Sequence, residues 1–268
     1  MKPAPIVTAF PTPTPAPAAA PGKRNIIAVA SGKGGVGKTW FSITLAHTMA
    51  KAGKKALLFD GDLGLANVDV QLGVTPERDL ASVIAGESTL AQAATRYAGG
   101  FDIIAGRSGT GSLATLPASR LMTLRTELHL LAQNYDFVVL DLGAGIERTV
   151  RLLTAHSRAC LVVTTDEPTS ITDAYAYIKV TAMERLAEGI EIVVNMVPNQ
   201  REGERVYGTL LKACREFLKI EPPLAGIIRR DEHVKESIRR QSSILTRHPA
   251  CEAASDVEAI FQRLDQAF

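Results

Sequence analysis

The sequence is poor in cysteine, and this excludes several kinds of site. Its 268 residues include three cysteines, Cys160, Cys214 and Cys251. They form no CxxC pair, so the usual ligand spacings of zinc and iron–sulfur sites are missing. An odd number of widely separated thiols is typical of a reducing compartment and argues against a disulfide framework.

The chain also lacks an excess of one charge and any long apolar stretch. Its 30 basic residues oppose 28 acidic residues, for a net charge of +2. No global field therefore attracts nucleic acid or membrane, and such contacts would have to be local. No apolar run approaches the ~20 residues that a membrane helix needs, and the N-terminus does not have the pattern of a secretory signal. We therefore expect a cytoplasmic protein.

A distinct composition marks the start of the chain. Seven of the 14 prolines fall within residues 1–24, and alanine fills many of the gaps. Such a stretch cannot form a core, so we predict a semi-extended, disordered tail. A bare spacer and a docking segment for a partner both fit this composition. Residues 25–268 would then form one domain, a size that a single fold supports.

From Asn25 onward, short apolar runs alternate with helical patterns. Continuous apolar runs of this length are typical of parallel strands that are buried on both faces. We therefore predict an α/β fold, a doubly wound, mostly parallel sheet with helices on both faces. Ligands of such sheets bind beyond the carboxyl ends of the strands. The predicted strands are Ile26–Ala30, Ala56–Asp60, Phe101–Ala105, Phe137–Asp141, Ala159–Thr164, Ile190–Val197 and Leu224–Ile228, and the predicted helices span 38–52, 117–133, 146–156, 168–187, 203–219, 231–240 and 252–267.

A glycine-rich segment follows the first predicted strand and opens a helix. Residues 31–39 read Ser-Gly-Lys-Gly-Gly-Val-Gly-Lys-Thr, which is a phosphate-binding P-loop in its required context. Glycines let the backbone approach phosphates, and the helix N-terminus supplies N–H groups. In this motif Lys38 bridges the β- and γ-phosphates and the Thr39 hydroxyl ligates Mg²⁺. The predicted ATP and Mg²⁺ site comprises Gly32, Lys33, Gly34, Gly35, Val36, Gly37, Lys38 and Thr39.

A second metal residue is predicted at the end of another strand. The run Phe137–Leu140 is followed by Asp141-Leu142-Gly143-Ala144-Gly145. An apolar strand that ends in aspartate is a Walker B pattern, in which the carboxylate holds Mg²⁺ through water. The glycines that follow permit a mobile backbone near the γ-phosphate, so we expect this segment to behave as a switch.

The P-loop contains an additional lysine, Lys33. The form Gly-Lys-Gly-Gly-Val-Gly-Lys-Thr resembles the deviant Walker A family of MinD, ParA, Soj and the nitrogenase iron protein. The resemblance implies that Lys33 reaches across a face-to-face dimer to the partner's ATP, where a second cation neutralises developing charge. Hydrolysis would then be coupled to an ATP-dependent homodimer. Residues 25–268 would form a MinD-like P-loop ATPase domain, with Lys33, Lys38 and Asp62 as catalytic residues.

The same resemblance assigns roles to four more side chains. Asp60 and Asp62, at the end of the second strand, resemble the family's switch I. Asp62 would orient or deprotonate the attacking water, while Asp60 would support the metal region. Asn195 would hydrogen-bond the adenine edge, and Glu167 would contact the ribose of the partner's nucleotide. The Asn-Lys-x-Asp motif of guanine-specific P-loop proteins is absent, which favours ATP.

Two segments narrow the resemblance to the FlhG (FleN) branch, MinD-like ATPases that limit flagellar number or placement. Residues 62–73 look like the MinD and FlhG form of switch I, and residues 167–179 closely resemble FlhG. This implies an FlhF-like GTPase, a flagellar basal-body protein or a transcription regulator as partner. The Asp-Gln-Ala activator of FlhF that FlhG proteins often carry is missing from residues 1–24. Trp40 also departs from the family, because relatives have a small polar residue there.

Two peripheral segments leave alternatives open. A basic segment could hold DNA phosphates, although a solvated helix face is the simpler interpretation because acidic residues interrupt it. The last helix carries an apolar stripe. Such helices dock MinD and FlhG to the inner face of the membrane, but its acidic polar face favours packing on the sheet. The basic residues are Arg229, Arg230, Lys235, Arg239 and Arg240, and the stripe comprises Val257, Ile260, Phe261, Leu264 and Phe268.

Together these patterns predict an ATP-hydrolysing dimerisation switch of the MinD/FlhG type that regulates flagellar number or placement. A ParA-like partition ATPase is an alternative that the basic segment favours and that the switch I sequence opposes. A metal-cluster carrier would need cysteines on a dimer axis, whereas Cys160 lies within an apolar run. An amide-forming synthetase shares the fold, but Lys33 and the MinD-like switch argue against it.

Overall fold

The computed structural model describes residues 25–62, 66–106, 116–146, 153, 157–184 and 189–267. The predicted tail, residues 1–24, lies outside this part of the chain and remains a prediction. The same is true of most of the helix predicted at 146–156.

Eight strands of the described chain form one sheet, in the order β3-β4-β2-β5-β1-β6-β7-β8. Every neighbouring pair is parallel except β3 and β4 at one edge. This confirms the predicted doubly wound α/β fold. The strands are β1 Ile26–Ala30, β2 Ala56–Asp60, β3 Thr95–Arg96, β4 Asp102–Ile104, β5 Phe137–Asp141, β6 Ala159–Thr164, β7 Ile190–Val197 and β8 Leu224–Arg229.

Helices cover both faces of the sheet. Successive strand residues alternate between two apolar clusters, so that Leu57 and Phe59 belong to one and Leu58 to the other. The helices are α1 Lys38–Lys51, α2 Val68–Leu72, α3 Leu80–Ala85, α4 Leu90–Ala93, α5 Ala118–Ala132, α6 Pro168–Met183, α7 Gln200–Ala213 with a π-helical extension Cys214–Leu218, α8 Glu232–Arg239, α9 Ile244–Arg247 and α10 Glu252–Ala267.

Several bounds differ from the prediction. The structure adds the short elements α2, α3, α4, α9 and β3, which have too few residues to show a periodicity. Helix α7 begins three residues before the predicted start at 203, because the Asn199 side chain accepts a hydrogen bond from the N–H of Glu202 and caps the helix. The predicted strand Phe101–Ala105 is shorter, covering Asp102–Ile104.

The C-terminal helix α10 packs its apolar stripe against the sheet. The ring of Phe261 meets that of Phe137 edge-on, with centroids 5.9 Å apart. A Cβ on Gly226 of β8 would lie only 2.4 Å from Ile260, so the helix and strand are in close contact. The predicted packing is confirmed up to residue 267, and Phe268 is outside the described residues. None of the described helices is long and apolar enough to cross a membrane.

Candidate nucleotide-binding site

The predicted site residues gather at one edge of the sheet. The P-loop joins β1 to α1, Asp60 ends β2, Asp141 ends β5, and Asn195 lies near the end of β7. Asp60 and Asp141 are paired in the β2–β5 register. Because parallel strands present their carboxyl ends at the same edge, the topology brings these segments together from distant positions in the chain.

The P-loop backbone requires its glycines. Gly35 and Gly37 have φ angles of +80° and +87°, a region that favours glycine. A Cβ on Gly37 would lie 2.5 Å from Nδ2 of Asn195, whereas a Cβ on Gly34 would meet no atom of the described residues within 4 Å. The loop is thus packed on its inner side and open on the other. Helix α1 starts at Lys38 without a side-chain cap, so its first N–H groups are available to phosphate.

The side chains predicted to hold Mg²⁺ form a buried polar group. Asp141 accepts hydrogen bonds from the hydroxyl of Thr39 and, at 3.0 Å, from the hydroxyl of Ser42. Burial raises the pKa of Asp141, while the charge of nearby Lys38 and these hydrogen bonds oppose the rise. Hydroxyl and carboxylate oxygens next to a buried carboxylate suit the hard Mg²⁺ ion. The residues present therefore fit the metal.

Asp60 is more deeply engaged with the backbone than the sequence indicated. It is fully buried, and its Oδ1 accepts from the N–H of Asp62 while its Oδ2 accepts from those of Asn67 and Val68. Burial, followed by the charge of Asp141, raises the pKa of Asp60. Its carboxylate thus holds the loop after β2 in place. Its predicted support of the metal region remains a prediction.

Asp62 lies where the two predicted switch segments meet. A Cβ built on Gly143 would be 3.4 Å from the carboxyl carbon of Asp62, so the acid faces the loop that follows Asp141. That loop is tied to the P-loop, since the N–H of Gly145 donates to the carbonyl of Ser31 at 2.9 Å. The catalytic role of Asp62 remains a prediction.

Lys33 contacts residues of its own subunit. Its Nζ lies 2.7 Å from Oε2 of Glu167 and 2.9 Å from Oγ1 of Thr169. The hydrogen bond and the charge of Lys33 lower the pKa of Glu167. Both ends of the ion pair are accessible, with 35% and 64% of the side chains exposed. The structure therefore joins two residues that the sequence had assigned separately to the partner's nucleotide.

A cavity of about 520 Å³ extends from the P-loop between β7 and α8. Asn195 lines it and donates from Nδ2 to the carbonyl of Val36 at 2.8 Å. Two other wall residues, Trp40 and Gln71, were not predicted. The buried atoms Nε1 of Trp40 and Oε1 of Gln71 have no hydrogen-bond partner among the described residues. In the sequence, only the departure of Trp40 from the family pattern pointed to these two residues. We expect Nε1 of Trp40 and Oε1 of Gln71 to face the nucleotide.

The residues of the basic segment differ in how strongly the fold engages them. Arg229 donates two hydrogen bonds to Asp256 of α10 and one to Glu252. Arg230 donates to the carbonyl of Met196 beside the cavity. The remaining residues of the segment, Lys235, Arg239 and Arg240, are exposed. Arg229 is thus committed to acidic residues of the fold, whereas 67% of the Arg230 side chain stays exposed. The DNA contact remains a prediction that rests on the four exposed residues.

The chain is similar in sequence to known proteins. The family model described as "CobQ/CobB/MinD/ParA nucleotide binding domain" matches residues 27–244. The antiactivator FleN of Pseudomonas aeruginosa is 37% identical over 240 residues, 90% of this chain and 86% of FleN. The flagellum site-determining protein YlxH of Helicobacter pylori is 32% identical over 221 residues, 82% of this chain and 74% of YlxH.

A solved structure agrees with the fold. The septum site-determining protein MinD of Pyrococcus horikoshii, complexed with Mg-ADP, has a TM-score of 0.73 at 22% identity, covering 91% of this chain and 96% of MinD. Mg-ADP is the ligand of that neighbour, and the matched family model is described as a nucleotide-binding domain. The chain belongs to the CobQ/CobB/MinD/ParA nucleotide-binding domain family.

Proposed function

We propose that this chain is an ATP-hydrolysing dimerisation switch of the FlhG/FleN type that regulates flagellar number or placement. The observation that carries the switch is the position of Lys33, which is held on the surface by Glu167 and Thr169. Because the Lys33 ammonium group is accessible beside the P-loop, it can leave these contacts and bind the nucleotide of a second subunit. Similarity to an antiactivator and to a flagellum site-determining protein supports the flagellar role.

The residues divide the chemistry among them. Lys38 and the N–H groups at the start of α1 bind the phosphates. Thr39 and Asp141 would hold Mg²⁺, which would supply positive charge to the phosphate oxygens. Asp62 orients the attacking water, and the partner's Lys33 adds positive charge where the transition state develops negative charge. Hydrolysis is thereby fast only in the dimer, and loss of the γ-phosphate returns the protein to monomers.

Two lysine variants test the switch. Lys38→Ala removes the cation that contacts the phosphates and should abolish ATP binding in calorimetry. Lys33→Ala should bind ATP but remain monomeric in light scattering and release phosphate slowly. Lys212→Ala, an exposed lysine on α7, is the matched control and should behave as wild type. A normal ATP-dependent dimer of Lys33→Ala would refute the mechanism.

The cellular role needs a separate experiment. In cells that carry this gene, replacing it with Lys38→Ala should change the number or position of flagella in electron micrographs, while chromosome and plasmid inheritance stay normal. The reverse pattern would favour the ParA-like alternative, in which the ATPase partitions DNA.

A further inference from the structure

Three metal-ligating side chains meet beside the nucleotide cavity. Asp231 lies just before α8, His233 is in the first turn of that helix, and Cys251 lies just before α10. One ligand atom from each residue lies within 4.8 Å of the other two. We refer to them as the Asp231–His233–Cys251 cluster.

The members of this cluster already contact one another. Asp231 accepts a hydrogen bond from Nδ1 of His233 at 2.7 Å and one from the thiol of Cys251. The N–H of Ala253 donates to its other oxygen at 3.3 Å. The Asp231 side chain is 8% exposed and that of His233 is 48% exposed. The cluster is therefore anchored on a buried carboxylate and open to solvent at the imidazole.

A second imidazole stands next to the cluster. The rings of His233 and His248 have centroids 4.2 Å apart. Nε2 of His248 is buried and makes no hydrogen bond with the described residues, although Oε2 of Glu236 is 3.3 Å away without hydrogen-bond geometry. The buried nitrogen without a hydrogen bond thus belongs to a ring that packs against His233, although it is not one of the three ligand atoms that converge within 4.8 Å.

We propose that the Asp231–His233–Cys251 cluster binds one Zn²⁺ ion, and that the neighbouring His248 side chain turns towards the ion to supply the fourth ligand. Thiolate, imidazole and carboxylate are the zinc ligands found in proteins, and four of them complete a tetrahedral site. Bonds of about 2.0–2.3 Å place tetrahedral ligand atoms ~3.3–3.8 Å apart, so small side-chain rotations close the cluster onto an ion. Sulfur and nitrogen ligands select against Mg²⁺ and Ca²⁺, which prefer oxygen.

The position of this site gives the ion a structural effect. Zn²⁺ would tie the start of α8 to the start of α10, two helices that are separated in the sequence by the short α9. Asp231 also lines the nucleotide cavity with Val234 and Lys235, so the ion would fix one wall of that cavity. Because the ion binds the folded chain, it should raise the melting temperature.

Cobalt spectroscopy tests the ligand set. Untagged full-length protein, stripped with a chelator and free of nucleotide, is titrated with Co²⁺. We expect a near-ultraviolet band from Co²⁺–thiolate charge transfer, one equivalent bound, and displacement by Zn²⁺. Cys251→Ser should abolish the band, and His233→Ala or His248→Ala should weaken Zn²⁺ binding by at least ~10–100-fold. His129→Ala on α5 is the matched histidine control.

A measurement on the wild-type chain avoids any folding defect of the variants. Cys251 is partly exposed whereas Cys160 and Cys214 are buried, so an alkylating reagent should label Cys251 first. Zn²⁺ should protect it, as read by peptide mass spectrometry. An alkylation rate that Zn²⁺ does not change, or Zn²⁺ binding that survives all three substitutions, would overturn the proposal.

Discussion

Nζ of Lys33 lies 2.7 Å from Oε2 of Glu167, in an ion pair between the P-loop and the residue that precedes helix α6. Thr169 adds a hydrogen bond to the same lysine. If Lys33 is to reach the partner's ATP, both contacts must break. An exposed ion pair is weak because water and salt screen it, so this contact can hold Lys33 in the monomer without blocking the exchange.

Thr169→Val should make dimerisation easier. The substitution removes one of the two contacts that hold Lys33 and leaves Glu167 in place. We expect the ATP concentration needed for dimerisation to fall by no more than about tenfold, since a single hydrogen bond contributes little. Analytical ultracentrifugation across an ATP titration measures the shift. Thr172→Val, one turn further along α6, is the matched control.

Glu167→Gln separates two roles of the carboxylate. As a partner of Lys33, Glu167 opposes dimerisation, but as a contact to the partner's ribose it supports dimerisation. Glutamine keeps the shape and loses the charge. We expect a weaker ATP-dependent dimer than that of Thr169→Val in the same titration, and a dimer as strong as that of Thr169→Val would reject the ribose contact.

The sequence predicted those parts of the site that depend on local patterns. The P-loop from Gly32 to Thr39 follows one continuous apolar strand and Asp141 ends another, and the structure places both at one edge of the sheet. Parallel strands that are buried on both faces need continuous apolar residues, and phosphate-binding loops need glycine. Both features can therefore be recognised in the sequence.

Contacts between distant segments left no such pattern. The pairing of Arg229 with Asp256 joins residues 27 positions apart, and the pairing of Lys33 with Glu167 joins residues 134 positions apart. Such a contact forms only in the tertiary structure, when the helices have packed on the sheet. In the sequence alone, Arg229 could not be distinguished from an arginine on the surface. The Asp231–His233–Cys251 cluster was not predicted either, because its ligands do not follow the spacing of local zinc motifs.

Trp40 should report nucleotide binding directly. It is the single tryptophan of the chain, it is 5% exposed, and it lines the cavity beside the P-loop. We expect Mg²⁺-ATP to change its fluorescence, and Lys38→Ala to show no change because it does not bind ATP. If the indole N–H donates to the nucleotide, Trp40→Phe should weaken ATP binding by about 2- to 10-fold. Unchanged affinity in calorimetry would contradict that contact.

His47 should make the fold less stable in mild acid. Burial, followed by the positive charge of Lys51, lowers the pKa of His47 from 6.5 to about 4, and its Nδ1 lies 2.7 Å from the hydroxyl of Ser243. Below pH 6.5 the unfolded chain binds a proton that the folded chain does not, so the free energy of unfolding falls as the pH is lowered towards about 4. The slope from one such group is at most about 1.4 kcal/mol per pH unit.

Comparison with His47→Gln separates the contribution of His47 to the pH dependence of stability from the contribution of the buried carboxylates. Glutamine keeps a hydrogen-bonding group near Ser243 but does not titrate. Denaturant unfolding of both proteins across this range should show wild type losing stability relative to the variant as the pH falls. Parallel pH profiles would mean that His47 titrates normally in the folded chain.

Asp62→Ala should separate ATP binding from hydrolysis. The substitution leaves the backbone N–H of residue 62, and with it the hydrogen bond to Asp60, and does not alter Lys38, Thr39 or Asp141. ATP and Mg²⁺ should therefore still bind and drive dimerisation. The chemical step should slow by ~10²–10⁴-fold, the range for loss of a group that positions or activates water. The variant should accumulate as an ATP-bound dimer, where wild type returns to monomers.

Size-exclusion chromatography with ATP, together with phosphate release, reads both effects of Asp62→Ala. Asp69→Ala on α2 provides an acid of the same segment as control, and it should cycle as wild type does. Wild-type hydrolysis by Asp62→Ala would reject Asp62 as the catalytic residue and make Asp60 the next residue to test. The Asp62 carboxyl group faces Gly143 in the folded chain, so it could also hold the two switch segments together. Loss of both dimerisation and hydrolysis in Asp62→Ala would show that this structural role is the main one.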